Sequence, residues 1–129
     1  MADSIIPEDI AQFIVEKVES VAHLEALLLL RNYPETGWSV PALAARLYIS
    51  EKLTTELLLA LCAQGFAATD ARDMSVYRYH PQSVELKTML DRLAEIYTKH
   101  LVPVTNLIHS KPKSRIQEFA EAFRLRKDK

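Results

Sequence analysis

Residues 38–66, WSVPALAARLYISEKLTTELLLALCAQGF, read as two short helices joined by a turn. Ser39 is a plausible N-cap and Pro41 lies in the first turn of a helix from Val40 to about Tyr48. Leu43, Ala44 and Leu47 form its apolar side. Ser50 can cap a second helix that reaches Gln64, and Leu53, Leu57 and Leu61 step down one face of it four residues at a time. Gly65 follows where a left-handed residue commonly closes a helix. The two apolar faces must meet across the turn, and the small side chain of Ala44 permits a close approach.

Upstream, Pro7 opens a first helix, with Glu8 and Asp9 at the positive end of its dipole. Ile10, Phe13, Ile14 and Val18 recur at helical spacing, so this helix docks one face. Ser20 can cap a second helix running to about Tyr33, with Leu24, Leu27, Leu28 and Leu30 on its apolar side. Pro34 and Gly37 end it, and Trp38 falls in a short extended piece.

Downstream the periodicity changes. Phe66–Asp70 and Val76–His80 read as strands joined by Ala71–Ser75, which makes a hairpin. Pro81 and Ser83 stop the second strand and start a long helix from Val84 to about Ile108, which Pro103 should kink or end nearby. After Lys111-Pro112-Lys113 a short helix carrying Ile116, Phe119, Ala120 and Phe123 finishes the chain.

The chain has 129 residues, enough for one domain with an appended helix or tail. Apolar residues make up 49% and charged ones 26%, so a packed core is expected rather than disorder. Two glycines are too few for the tight turns of a sandwich or barrel. The single cysteine, Cys62, rules out an internal disulfide and suits a reducing compartment. The N-terminus lacks the pattern of a signal peptide, and apolar runs such as Ala26–Leu30 are too short to cross a bilayer. A cytoplasmic protein with no membrane contact is the expectation.

Helix, Trp-containing strand, helix, turn, helix and hairpin together resemble the winged helix-turn-helix family over roughly residues 20–80. Residues 38–66 and the later VYRYH at residues 76–80 carry the resemblance. It implies a mainly α fold with a small β-hairpin wing and flanking N- and C-terminal helices, as in bacterial-type transcriptional regulators. A generic three-helix bundle could use the same faces; Trp38 and the hairpin favour the winged form. The boundaries expected are 1–82 for the N-terminal helix and winged unit, and 83–129 for the long helix and basic tail.

In this family the second helix of the pair carries the residues offered to DNA. Opposite Leu53, Leu57 and Leu61 lie Lys52, Thr55, Glu56 and Leu59. Lys52 could meet guanine or phosphate, the Thr55 methyl a thymine methyl, and Glu56 the cytosine amine. Arg72 and Arg78 on the hairpin and Arg46 on the preceding helix are the backbone-contact candidates. The sequence departs from the family's usual pattern of arginine or lysine near positions 55 and 56. Between Trp38 and His80, four basic residues are balanced by four acidic ones. The ordinary alternative is a solvated helix face.

Charge is segregated instead toward the C-terminus. Residues 1–110 hold 9 basic and 14 acidic side chains, a net of −5, and residues 111–129 hold 7 basic and 3 acidic, a net of +4. Such a tail could clamp phosphates, or dock through Ile116, Phe119 and Phe123 and keep its charges hydrated.

On the long helix, Leu86, Leu90, Leu93, Tyr97, Leu101, Val104 and Ile108 are spaced close to a coiled-coil seam, with Met89 and Ile96 widening it. Leu93, Tyr97 and Leu101 are the candidate interface of a two-fold homodimer. A helix covering only its own chain is the alternative.

His23, His80, His100 and His109 are scattered and form no metal-ligand spacing with Cys62, and no glycine-rich phosphate loop is present. Neither a cofactor, a metal nor an enzymatic activity is expected. The leading expectation is a dimeric DNA-binding regulator of transcription. The other is a winged-helix module that holds a protein partner through Leu59, an apolar residue in the middle of a polar surface.

Overall fold

A computed structural model describes residues 5–110 of the chain; the basic tail and its Ile116, Phe119 and Phe123 lie outside the described residues. The helices are α1 (Glu8–Lys17), α2 (Val21–Asn32), α3 (Val40–Leu47), α4 (Glu51–Ala63), α5 (Val84–Lys99) and α6 (Leu101–Ser110). Strands β1 (Ala67–Thr69) and β2 (Tyr77–Tyr79) lie between α4 and α5.

Local chemistry sets most of the boundaries. Four serines cap four helices: Ser20, Ser39, Ser50 and Ser83 accept the N–H groups of His23, Ala42, Leu53 and Leu86 at 3.0–3.2 Å. Each such cap contributes about 1 kcal/mol by satisfying a donor that the helix leaves open. Pro7 stands one residue outside α1, at φ −54° and ψ 147°, and its carbonyl accepts from Ala11 N–H at 2.8 Å. Gly65 closes α4 at φ +80°. Its N–H returns to the Cys62 carbonyl and that of Phe66 to the Leu61 carbonyl, the paired bonds of a Schellman motif.

Two apolar cores share α2 and α5. One joins α1, α5 and α6 to one side of α2 and contains Ile10, Ile14, Leu24, Leu93 and Val104. The other lies between α2, α3, α4 and the hairpin and contains Leu27, Leu30, Leu43, Leu58 and Phe66, with Leu90 from α5. Each fully buried aliphatic side chain contributes about 1.5–3 kcal/mol. Phe13 packs against both, its ring 6.0 Å from that of Phe66.

The region expected to form one long helix is two. At His100 the backbone turns to φ −135° and ψ 54°. The ring of Pro103 would collide with the Lys99 carbonyl in an unbroken helix, and proline has no N–H to bond it. His100 N–H closes α5 on the Ile96 carbonyl, and the His100 carbonyl starts α6 by accepting from Val104 N–H. The restart changes the helical phase within the apolar seam. Leu90, Leu93, Tyr97, Val104 and Ile108 are buried, whereas Leu101 is 52% exposed.

Candidate nucleic-acid interface

The turn from α3 into α4 is tight. Tyr48 takes the left-handed conformation (φ 59°, ψ 44°), which lets Ile49 N–H return to the Ala44 carbonyl at 3.1 Å. A side chain in this region costs about 1–2 kcal/mol, yet the Tyr48 ring stands 93% exposed. Ser50 then caps α4 and fixes where that helix begins.

The inward face of α4 is wider than the leucine spacing implied. Thr54, Leu57, Leu58 and Leu61 are buried, and Leu53 is only half-buried. Thr54 can be buried because its hydroxyl donates to the Ser50 carbonyl at 2.8 Å. Lys52, Glu56 and Leu59 point outward as expected, and Glu51 does so too. Thr55 is half-buried, and its hydroxyl donates to the Glu51 carbonyl at 2.9 Å, so only its oxygen lone pairs and methyl remain available.

The hairpin pairs Ala67 with Tyr79, Ala68 with Arg78 and Thr69 with Tyr77. Trp38 adds a third backbone beside β2 through two 2.8 Å bonds with Tyr77. A Cβ at Gly37, just before it, would meet a Val76 side-chain methyl, which would have to shift. At the tip, Asp70 accepts from Arg72 N–H and Asp73 accepts from both Ser75 N–H and its hydroxyl. These contacts hold both carboxyls below their ordinary range. For Asp70 the Arg72 N–H acts most strongly and the Arg78 side chain next; for Asp73 the Ser75 hydroxyl leads.

This is a winged helix-turn-helix. The expected architecture holds, with the wing attached to the body through Trp38.

The candidate contact residues separate into two groups. Arg78 is engaged inside the molecule: its Nε meets Asp70 Oδ2 at 3.0 Å and its Nη1 donates to the Glu35 carbonyl at 2.7 Å, tying the wing to the loop after α2. A phosphate would have to displace both contacts. Lys52 and Arg72 are exposed and form no ion pair among the described residues. Arg46 is exposed too, with its guanidinium 5.5 Å from the Tyr33 ring centre. The three candidate interface residues also divide. Leu93 and Tyr97 are sunk in the chain's own core, covered by α1 and α2, so only Leu101 remains on the surface. That outcome follows from α5 turning its seam inward.

Sequence periodicity missed one polar joint. His23 is buried on α2 and bonds Gln64 at the end of α4. A histidine at the third position of a leucine-rich helix, its N–H capped by Ser20, gives no local sign of a partner 41 residues away. Among the described residues no cluster of histidine, cysteine or acidic side chains could hold a metal ion, and no helix is long and apolar enough to cross a membrane.

No protein-family model matches the chain, and no curated protein matches it. Among solved structures it is similar to a mutant of MepR from S. aureus bound to an oligodeoxyribonucleotide. The identity is 15%, the match covers 92% of this chain and 86% of that one, and the TM-score is 0.48.

Proposed function

We propose that the protein is a DNA-binding regulator of transcription that places α4 in the major groove and does no chemistry of its own. The distribution of unpaired cations carries this reading. Arg31, Arg78, Lys87, Arg92 and Lys99 are neutralised by carboxylates within the chain. Arg46, Lys52 and Arg72, all on the winged unit, are not, and Lys17 on α1 is the other unpaired cation among the described residues. Phosphate contacts need such free cations, because counterion release supplies most of the affinity for duplex DNA. In this docking Lys52 and Thr55 face base edges, and Arg72 and Arg46 meet the backbone.

The regulator would act as a two-fold dimer. Leu101 and Val102, at the start of α6, are 52% and 62% exposed and supply an apolar patch for pairing. Sedimentation of Leu101→Glu and Val102→Glu variants tests the pairing separately from DNA binding.

The deciding experiment is a mobility shift with mixed duplex DNA over a salt series. Lys52→Glu combined with Arg72→Glu should weaken binding at least about tenfold and lower the salt dependence by roughly two phosphate contacts. Unchanged binding overturns this docking.

A second reading has its own support. Leu59, on the outward face of α4, is 56% exposed between Glu56 and Ala60, and Met74 at the wing tip is 73% exposed. Apolar side chains there suit a protein partner better than a polyanion. Loss of a protein partner on Leu59→Asp, with no DNA affinity at low salt, would select that reading.

A further inference from the structure

Away from the outward face of α4, a cleft runs between α2, α3 and α5. It consists of two depressions of about 320 and 350 Å³, both lined by Glu25, Arg46 and Leu47. Leu28 and Leu29 add apolar lining from α2, and Tyr97 adds its phenol from α5. Both are half-open depressions with room for a small organic ligand.

The charges in this cleft are arranged unusually. Glu25 and Arg46 carry opposite signs and line the same two depressions, yet no ion pair joins them. Each is held by a different neighbour. Tyr97 donates its hydroxyl to Glu25 Oε2 at 2.6 Å, leaving Oε1 free, and Arg46 lies over the Tyr33 ring. A ring contact uses the guanidinium face and leaves its N–H donors in the plane available.

We propose that this cleft binds a small apolar amino acid in its zwitterionic form. The ligand's ammonium meets Glu25, its carboxylate meets Arg46, and its side chain rests on Leu28, Leu29 and Leu47. Charge complementarity selects this class over the nearest alternatives. A simple carboxylic acid would satisfy Arg46 while bringing its negative charge toward Glu25. An alkylamine would satisfy Glu25 and set a second cation beside Arg46. A molecule carrying both charges gives each side chain a partner of opposite sign. Binding would bridge α2 to α3, the helix that precedes α4, and would occupy the Arg46 guanidinium in place of its proposed phosphate contact.

Calorimetric titration of the full-length protein alone, without nucleic acid, keeps this test separate from the DNA-binding proposal. The probes are L-leucine, 4-methylpentanoate, which lacks the ammonium, and isopentylamine, which lacks the carboxylate. Leucine should bind at least about tenfold more tightly than either analogue, the discrimination expected for one charge-assisted hydrogen bond. Glu25→Gln and Arg46→Gln should each weaken leucine binding by a similar factor, with Arg46→Lys restoring part of it. Both side chains are exposed, and unchanged circular dichroism would show that the variants fold. Equal affinity for leucine and one analogue, variants that bind as the parent does, or no leucine binding at millimolar concentration would each overturn the proposal.

Discussion

His23 on α2 and Gln64 at the end of α4 share a 2.9 Å bond between Nε2 and Oε1. The amide Nε2 of Gln64 donates to the Lys17 carbonyl at 2.8 Å, which turns its oxygen toward the ring. The imidazole Nε2 therefore carries the proton, and Nδ1 accepts from Glu19 N–H at 3.5 Å. One buried side chain thus joins the end of α1, the start of α2 and the end of α4. Removing it leaves partly buried polar groups without that partner, at about 1–3 kcal/mol, and a cavity besides. His23→Ala should cost about 2–4 kcal/mol in urea unfolding, and a double-mutant cycle with Gln64→Ala should give a coupling of about 1 kcal/mol. Additive effects would show that the joint carries no energy of its own.

Tyr48 predicts a gain. Glycine adopts its left-handed conformation without the steric penalty, although it loses more entropy on folding. Tyr48→Gly should therefore raise stability by about 0.5–1 kcal/mol, read from denaturant midpoints. A loss would mean that the exposed ring makes contacts that outweigh the backbone strain.

The wing should resist acid. The Arg72 N–H and, next, the Arg78 guanidinium hold the Asp70 carboxyl below its ordinary value of 3.8. A carboxyl lowered in the folded state contributes stability above its unfolded value and loses it as pH falls through the folded one. The hairpin should thus stay ordered from neutral pH down to the ordinary carboxylate range and loosen only below it. Carboxyl-detected NMR titration should place the Asp70 midpoint beneath 3.8, with Arg78→Gln raising it part of the way back. An Asp70 midpoint unaffected by Arg78→Gln would remove Arg78 from this account.

Alkaline pH should act elsewhere. Burial, the hydrogen bond to Glu25 and the charge of that carboxylate push the Tyr97 phenol up to about 12. Tyr79 is also pushed up to about 12, by burial and by the charge of Asp91. An acid raised on folding contributes stability that is complete below its unfolded value, here about 10, and is lost as pH rises through the folded value. Near-ultraviolet absorbance should resolve a late phenolate phase, and Tyr97→Phe should remove part of it. A single phase near the ordinary tyrosine value would contradict this placement.

The features legible in the sequence were those set by neighbours along the chain. Ser20, Ser39, Ser50 and Ser83 each bond a donor three residues away, and Gly65 closes a helix that has just ended. Contacts across space were harder to read. Arg78 looked free because Asp70 lies eight residues away and the Glu35 carbonyl 43. Counting every fourth leucine gave Leu53 to the buried face of α4, whereas a helix wedged between several elements buries a broader arc that includes Thr54 and Leu58. The α5 seam has coiled-coil spacing, but spacing alone does not say whose surface covers it. Here α1 and α2 do so over Leu93 and Tyr97.

The chain has one tryptophan, and Trp38 sits where the hairpin joins the body, bonded through its backbone to Tyr77, with its indole nitrogen unpartnered among the described residues. Its intrinsic fluorescence is therefore a built-in optical gauge of that junction. A ligand that tilts the hairpin against the body should change emission without any attached dye, whereas one that leaves the junction untouched should pass unseen.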